Sequence, residues 1–171
     1  HGNPQAILER HREASFLSHP GLLRALHSGI AKSGDTEFAY AIFEGPESLL
    51  IDQLAGPLPL SEAQHLGSQL ADTLEYLHGR DLVYCALDPW TIARAGGRWV
   101  LADYSQLRLS GATDASDTRR LLVNYPATPP EAYEGIVSPA WDSWALAHLL
   151  RRCLLGSPKD KQKVIDIPEP F

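Results

Sequence analysis

The sequence predicts an α+β domain, and three stretches carry that expectation. From Ser61 to His78, Leu66, Leu70, Leu74 and Leu77 recur every three to four residues, the period of a helix with one buried face. Between Leu82 and Ala102 the pattern changes to short β-prone runs, two of them joined by the hairpin turn Ala95-Gly96-Gly97. From Ala140 to Leu155 apolar residues surround almost the whole helical circumference, which predicts a core helix buried on all sides.

The remaining elements follow in order. Ile7, Leu8, His11, Ala14, Phe16 and Leu17 predict a helix over 7–18, stopped by His19-Pro20-Gly21. Leu22 to Ala31 and Glu37 to Glu44 read as strands around the turn Lys32-Ser33-Gly34-Asp35. Gly45-Pro46 breaks the second strand, and a short helical piece near Leu49–Leu54 ends at Gly56-Pro57. The helix from Ser61 has capping-box spacing between Ser61 and Gln64 and ends near Gly79. Leu82–Tyr84, Thr91–Arg94 and Trp99–Ala102 are short strands. Ser105 to Pro130 is a long polar stretch without a period, and such loops are functional or mobile. Gly156-Ser157-Pro158 stops the last helix, and the Pro-containing remainder reads as extended. No internal repeat is present.

The 171 residues suit one domain with a real core. A formal net charge of −6 argues against a nucleic-acid surface, and the basic cluster Lys159 to Lys163 reads as a solvated tail. Cys85 and Cys153 make no disulfide framework, which favours a reducing, cytoplasmic setting. No apolar run approaches the roughly 20 residues of a membrane span. The lack of methionine reads as an excised or processed piece of a longer protein.

Residues 74–107, from the end of one helix through two hairpin-like loops, resemble the catalytic and metal loops of protein kinases. A kinase reads Y-L-H, then H-R-D-L-K-P-x-N-I, then D-F-G; here the frame is Tyr76-Leu77-His78, Tyr84 to Ile92, and Asp103-Tyr104-Ser105. His11 to Leu26 resembles the end of the kinase helix αC and its turn, and Glu37 to Gly45 resembles the strand leading into the hinge. Pro129-Pro130-Glu131 stands where kinases have A-P-E, and Trp141 to Leu146 matches the start of helix αF. The resemblance runs from about Arg12 to about Gly156. It implies a kinase-like fold with a remnant N-lobe and hinge (1–56), a C-lobe core lacking the last helices (57–158) and an extended tail (159–171).

Several positions depart from that pattern. The proton acceptor of the catalytic loop is Ala86, its lysine is Asp88, and its metal-binding Asn is Thr91. Asp103 keeps the metal-loop carboxylate, followed by Tyr104 and Ser105. No Gly-rich lid and no V-A-I-K strand precede the first helix. Glu9 and Glu13 are the candidates for the αC carboxylate. The loop after Asp103 corresponds to an activation segment with Ser110, Thr113, Ser116 and Thr118, whose usual arginine receptor is Cys85; Arg119 and Arg120 offer other cations. The resemblance therefore implies a pseudokinase without catalysis, and no cofactor beyond weak ATP or Mg²⁺ through Asp103. Asp103 alternatively caps local backbone amides.

Tyr84, Tyr104, Glu131, Asp142 and Trp144 fall at positions that the resemblance gives to the fold, Asp142 as acceptor of backbone hydrogen bonds from the catalytic loop. Trp90 reads as an exposed anchor or a plug for the vacated cleft, and Trp141 as a second candidate contact. His11, His19, His27, His65, His78 and His148 show no metal-ligand spacing, so no metal site is expected. Cys85 without neighbouring cations reads as a structural thiol. The expected function is a protein-interaction or regulatory module, with a nucleotide-binding regulatory domain and an enzyme with relocated chemistry as alternatives. The apolar helix 140–155 predicts that the αE/αF face, with the tail from Val164 to Phe171, binds a protein partner or a second copy.

Overall fold

The computed structural model describes residues 3–111 and 127–156, with the side chains of Glu131 and Tyr133 outside that description. Thr113, Ser116, Thr118, Arg119, Arg120, Lys159 to Lys163 and the tail Val164–Phe171 lie outside the described residues.

Helix α1 spans Pro4–Ala14. It starts earlier than its apolar period suggests because the Asn3 side chain accepts from Gln5 N at 3.0 Å and Pro4 stands at the first turn. It also ends earlier: Ser15 N closes onto His11 and Arg12 carbonyls, leaving Phe16 89% exposed rather than on a buried face.

Strands β1 (Ala25–Ser33) and β2 (Thr36–Phe43) form an antiparallel hairpin whose tip is Gly34 at φ +58°, a left-handed turn position suited to glycine. The expected first strand began too early. Leu22 and Leu23 pair instead with Leu101, and β1 itself carries a register shift at Leu26 near its start. Gly21 lies so close to Thr73 that a Cβ there would sit 1.8 Å from the Thr73 hydroxyl oxygen.

Strand β3 (Ser48–Leu49) and helix α2 (Leu50–Gln53) lead to helix α3 (Leu60–His78). The Ser61 capping box does not form; Pro59 is the cap residue and makes no side-chain cap bond. The apolar face is the expected one, with Leu66, Leu70, Leu74 and Leu77 buried. Strands β4 (Leu82–Val83), β5 (Ile92–Ala95), β6 (Arg98–Leu101) and β7 (Arg108–Leu109) follow. β3, β5 and β6 form one small antiparallel sheet, and β4 pairs with β7 in another.

A 3₁₀ turn at Pro130–Glu134 precedes helix α4, Pro139–Leu155. Here the expectation of all-round burial fails. Trp141, Asp142, Ala145, Leu149 and Cys153 are buried, while Trp144, Leu154 and Leu155 are 41%, 41% and 66% exposed. Trp141, read as a possible contact residue, is 2% exposed and packs with Val83, Cys85, Ala132 and Val137. Trp144, read as a fold residue, stands on the outer face. The main core joins α3, the loops around Tyr84 and Tyr104, and the inner face of α4.

Candidate functional site

Two loops meet beneath α4. The first, Tyr84–Thr91, leaves β4 with a left-handed turn at Cys85, φ +58°. A branched or long side chain pays for that conformation sterically, so something must hold it. That group is Asp142, fully buried on α4: its Oδ2 accepts from Tyr84 N at 2.8 Å and its Oδ1 from Cys85 N at 2.9 Å. His78 Nε2 lies 2.8 Å from the same Oδ2, linking the end of α3 to the loop. A carboxylate taking two backbone donors and an imidazole is satisfied despite complete burial.

Thr91 closes the other end of the loop. Its hydroxyl donates toward the Ala86 and Asp88 carbonyls and accepts from Asp88 N at 3.2 Å. These bonds commit the hydroxyl to its own loop. The Asp88 carboxylate accepts from Trp90 N at 2.9 Å and lies 3.9 Å from Arg152 of α4. Trp90 is 64% exposed and stands out from the loop rather than filling the space between the two loops. Ala86 is buried and offers only a methyl group.

In the second loop, Asp103 accepts from Ser105 N at 2.8 Å and from Ser105 Oγ at 3.0 Å, a local turn clasped by one carboxylate. Both oxygens are engaged, and no cluster of three metal-ligating side chains exists among the described residues. A Mg²⁺ carried by a nucleotide needs one or two carboxylates beside the phosphates, and Asp103 would be the one this loop offers.

The tyrosines tie the loops together. Tyr84 is fully buried, donates to Thr91 O at 3.3 Å and accepts from Asp103 N at 3.4 Å. Tyr104 donates to Leu23 O at 2.6 Å, reaching the segment before β1. Burial, with Asp103 nearby, pushes both phenols well above the ordinary range. Cys85 is buried, and its thiol is raised chiefly by desolvation and then by Asp142, with Arg108 and Arg10 acting the other way.

Sequence reasoning missed two contributors. Arg10, rather than the exposed Glu9 or Glu13, carries α1 to the second loop, donating to Ser105 O at 3.0 Å. His11 beside it is buried against Phe43 and Tyr104, edge-on to both rings at 5.9 and 6.3 Å. Its Nδ1 finds no partner among the described residues, and desolvation lowers its pKa, opposed by Asp103. The buried positions of an amphipathic helix gave a signal for His11; nothing in the sequence fixed the reach of Arg10.

No protein-family model matches the chain. Among curated proteins, it is 31% identical over 149 residues to serine/threonine-protein kinase SBK2 of Homo sapiens, covering 83% of this chain and 42% of that protein. It is 26% identical over 151 residues to serine/threonine-protein kinase PDK1 of Cryptococcus neoformans, covering 84% and 12%. It is 29% identical over 156 residues to serine/threonine-protein kinase RUNKEL of Arabidopsis thaliana, covering 89% and 11%. The chain is similar to serine/threonine protein kinases.

These matches support a place in the protein kinase-like superfamily, and the mixed helices and strands are consistent with a kinase-like α+β fold. The chain spans less than half the length of these relatives. They also correct one expectation. The six named relatives are all serine/threonine protein kinases, which points to a kinase enzyme and overturns the reading of the chain as no enzyme. That reading rested on Ala86, Asp88 and Thr91. Phosphoryl transfer draws mostly on positioning and charge neutralisation, so missing side chains in one loop are too narrow a basis to exclude it. No described helix is long and apolar enough to cross a membrane.

Proposed function

We propose that this domain is a kinase-like regulatory module whose protein partner docks between α3 and α4. One observation carries the reading: an open, mainly apolar groove of about 350 Å³ lined by Ala71, Leu74, Glu75, His78, Ser143 and Leu146. Exposed apolar surface rimmed by polar groups is typical of association sites. Trp144 stands next to it on α4, 41% exposed. The groove is one side chain from the catalytic-loop positions, because its wall residue His78 contacts Asp142, which holds Tyr84 N and Cys85 N. An occupant that moves His78 therefore acts on the loop.

The test places a photo-crosslinking residue at exposed Ala71 in the longer protein, with a second at Lys32 as control. The reading expects a discrete protein adduct from position 71 that disappears with Leu146→Arg. Adducts from position 32 but none from position 71 would remove the groove from consideration.

A second reading, phosphoryl transfer, is favoured by the names of the relatives. In that case Asp88 is the one carboxylate of the Tyr84–Thr91 loop able to take a proton. Phosphate transfer from ATP with Mg²⁺ is the assay. This reading expects the rate to fall with Asp88→Asn and with Asp103→Asn; a rate indifferent to Asp88→Asn would dismiss it as the base.

A further inference from the structure

Leu101 ends β6, and the Asp103 carboxylate follows shortly after it. The backbone of Leu101 is bound to the segment 21–23 through both of its groups: its N donates to Gly21 O at 2.8 Å and its O accepts from Leu23 N at 2.9 Å. At Tyr104 the chain returns to the same place. The buried Tyr104 donates its hydroxyl to Leu23 O at 2.6 Å, and that hydroxyl lies 3.2 Å from Leu101 O. Ala102 and Asp103 therefore form an arch with both feet on one segment. The amides within the arch are held as well, Ala102 N by Thr91 O at 2.8 Å and Asp103 N by the Tyr84 hydroxyl at 3.4 Å.

The footing is rigid. Gly21 lies so close to Thr73 of α3 that a Cβ has no room, and Leu23 is buried with Ala93 and Val100 of the β5–β6 hairpin. The Tyr104 ring stands edge-on to Phe43 at 5.5 Å and to His11 at 6.3 Å, contacts that a phenylalanine would also make. The hydroxyl adds a constraint of another kind. Apolar contacts tolerate sliding, whereas a hydrogen bond to one carbonyl fixes both distance and direction. Burial, with Asp103 nearby, holds the phenol well above its ordinary range, so it remains a donor at neutral pH.

We propose that the Tyr104 hydroxyl is a lock that holds the Asp103 arch in one seat on the segment 21–23, so that the fold sets the position of the Asp103 carboxylate before any ligand arrives. Tyr104 is then a positioning residue for Asp103. The lock serves either use of that carboxylate, as a cation ligand or as a local cap, and it does not rest on the α3–α4 groove.

The test uses the full 171-residue chain. Tyr104→Phe removes one oxygen and keeps the ring. Native-state hydrogen exchange compares the amides of Asp103, Ser105 and Leu107 with those of Leu70 and Leu74 in α3. Losing the buried bond is expected to speed exchange at the three loop amides about tenfold relative to the α3 amides. Tyr84→Phe, which removes the longer bond to Asp103 N, is expected to have a smaller effect. The wild type gives a readout that needs no variant: the Tyr104 hydroxyl proton should appear as a slowly exchanging NMR signal with a cross-peak to Leu23. Should Tyr104→Phe fail to fold, that signal decides. Three outcomes overturn the proposal: loop amides that are unprotected in the wild type, loop amides that respond to Tyr104→Phe no more than the α3 amides do, and a Tyr104 hydroxyl proton that exchanges freely with water.

Discussion

Replacing Asp142 with alanine tests the organisation of the site most directly. The carboxylate is completely buried and accepts from Tyr84 N, Cys85 N and His78 Nε2. Removing it orphans two backbone donors in a place water does not reach, at about 1–3 kcal/mol each. The left-handed Cys85 loses its restraint as well, although relaxation of the loop returns part of the cost. Allowing for that, the expected loss is about 3–5 kcal/mol, a large share of the 5–15 kcal/mol typical of a domain. Urea unfolding followed by tryptophan fluorescence measures it, with the m-value checked for constancy. Asp142→Asn keeps one acceptor oxygen and should fall between wild type and alanine. If Asp142→Ala costs less than about 1 kcal/mol at unchanged m, the two donors have other partners and the account of the loop is wrong.

Other perturbations follow from the same structure. His11→Phe removes a buried ring nitrogen without a partner among the described residues and should stabilise the domain, more so in acid. The folded-state pKa of His11 lies below 6.5, so below that value the unfolded chain binds more protons and stability drops as the pH is lowered; the variant should lose that part of the slope in melts between pH 7 and 5. Cys85 and Cys153 are buried with raised thiol pKa values, the latter pushed up to about 11, so neither should react with a thiol reagent at pH 8 until urea unfolds the chain. Fast labelling of the native protein would contradict their burial. Gly21→Ala forces a methyl group onto Thr73 and should cost about 1–3 kcal/mol in the same urea assay, whereas Gly45→Ala, with open space around it, should not.

Much of this fold was legible because period and turn chemistry are local. The leucines of α3 mark its buried face, Gly34 and the Gly96-Gly97 pair mark the hairpin turns, and all of these stand as read. Helix boundaries moved where a neighbouring residue changed the competition, as Asn3 and Pro4 did for α1. Two-residue strands such as β3 and β7 have no period to read; long-range pairing alone defines them. In α4 the run of apolar residues hides the rotational phase. Trp141 is therefore the buried one and Trp144 the exposed one, since they lie on different sides of one helix and only packing decides which is inside. At the site, the loop residues were findable by their frame. The hydrogen bonds that join them, Arg10 to Ser105 or Tyr84 to Thr91, depend on side-chain reach across the fold.

The bonds from Asp142 to Cys85 and Tyr84 span 57 and 58 residues of chain. During synthesis, at about 5–20 residues per second, Cys85 emerges from the ribosome roughly 3–11 s before its carboxylate partner does. Throughout that interval the left-handed turn has nothing to hold it, and the thiol that ends up buried faces the surrounding solution. The nascent chain is therefore most open to oxidation, and to capture by chaperones, at the very loop that becomes its best-organised region. Growth conditions that slow translation between codons 85 and 142 should lower the yield of folded protein more than slowing elsewhere.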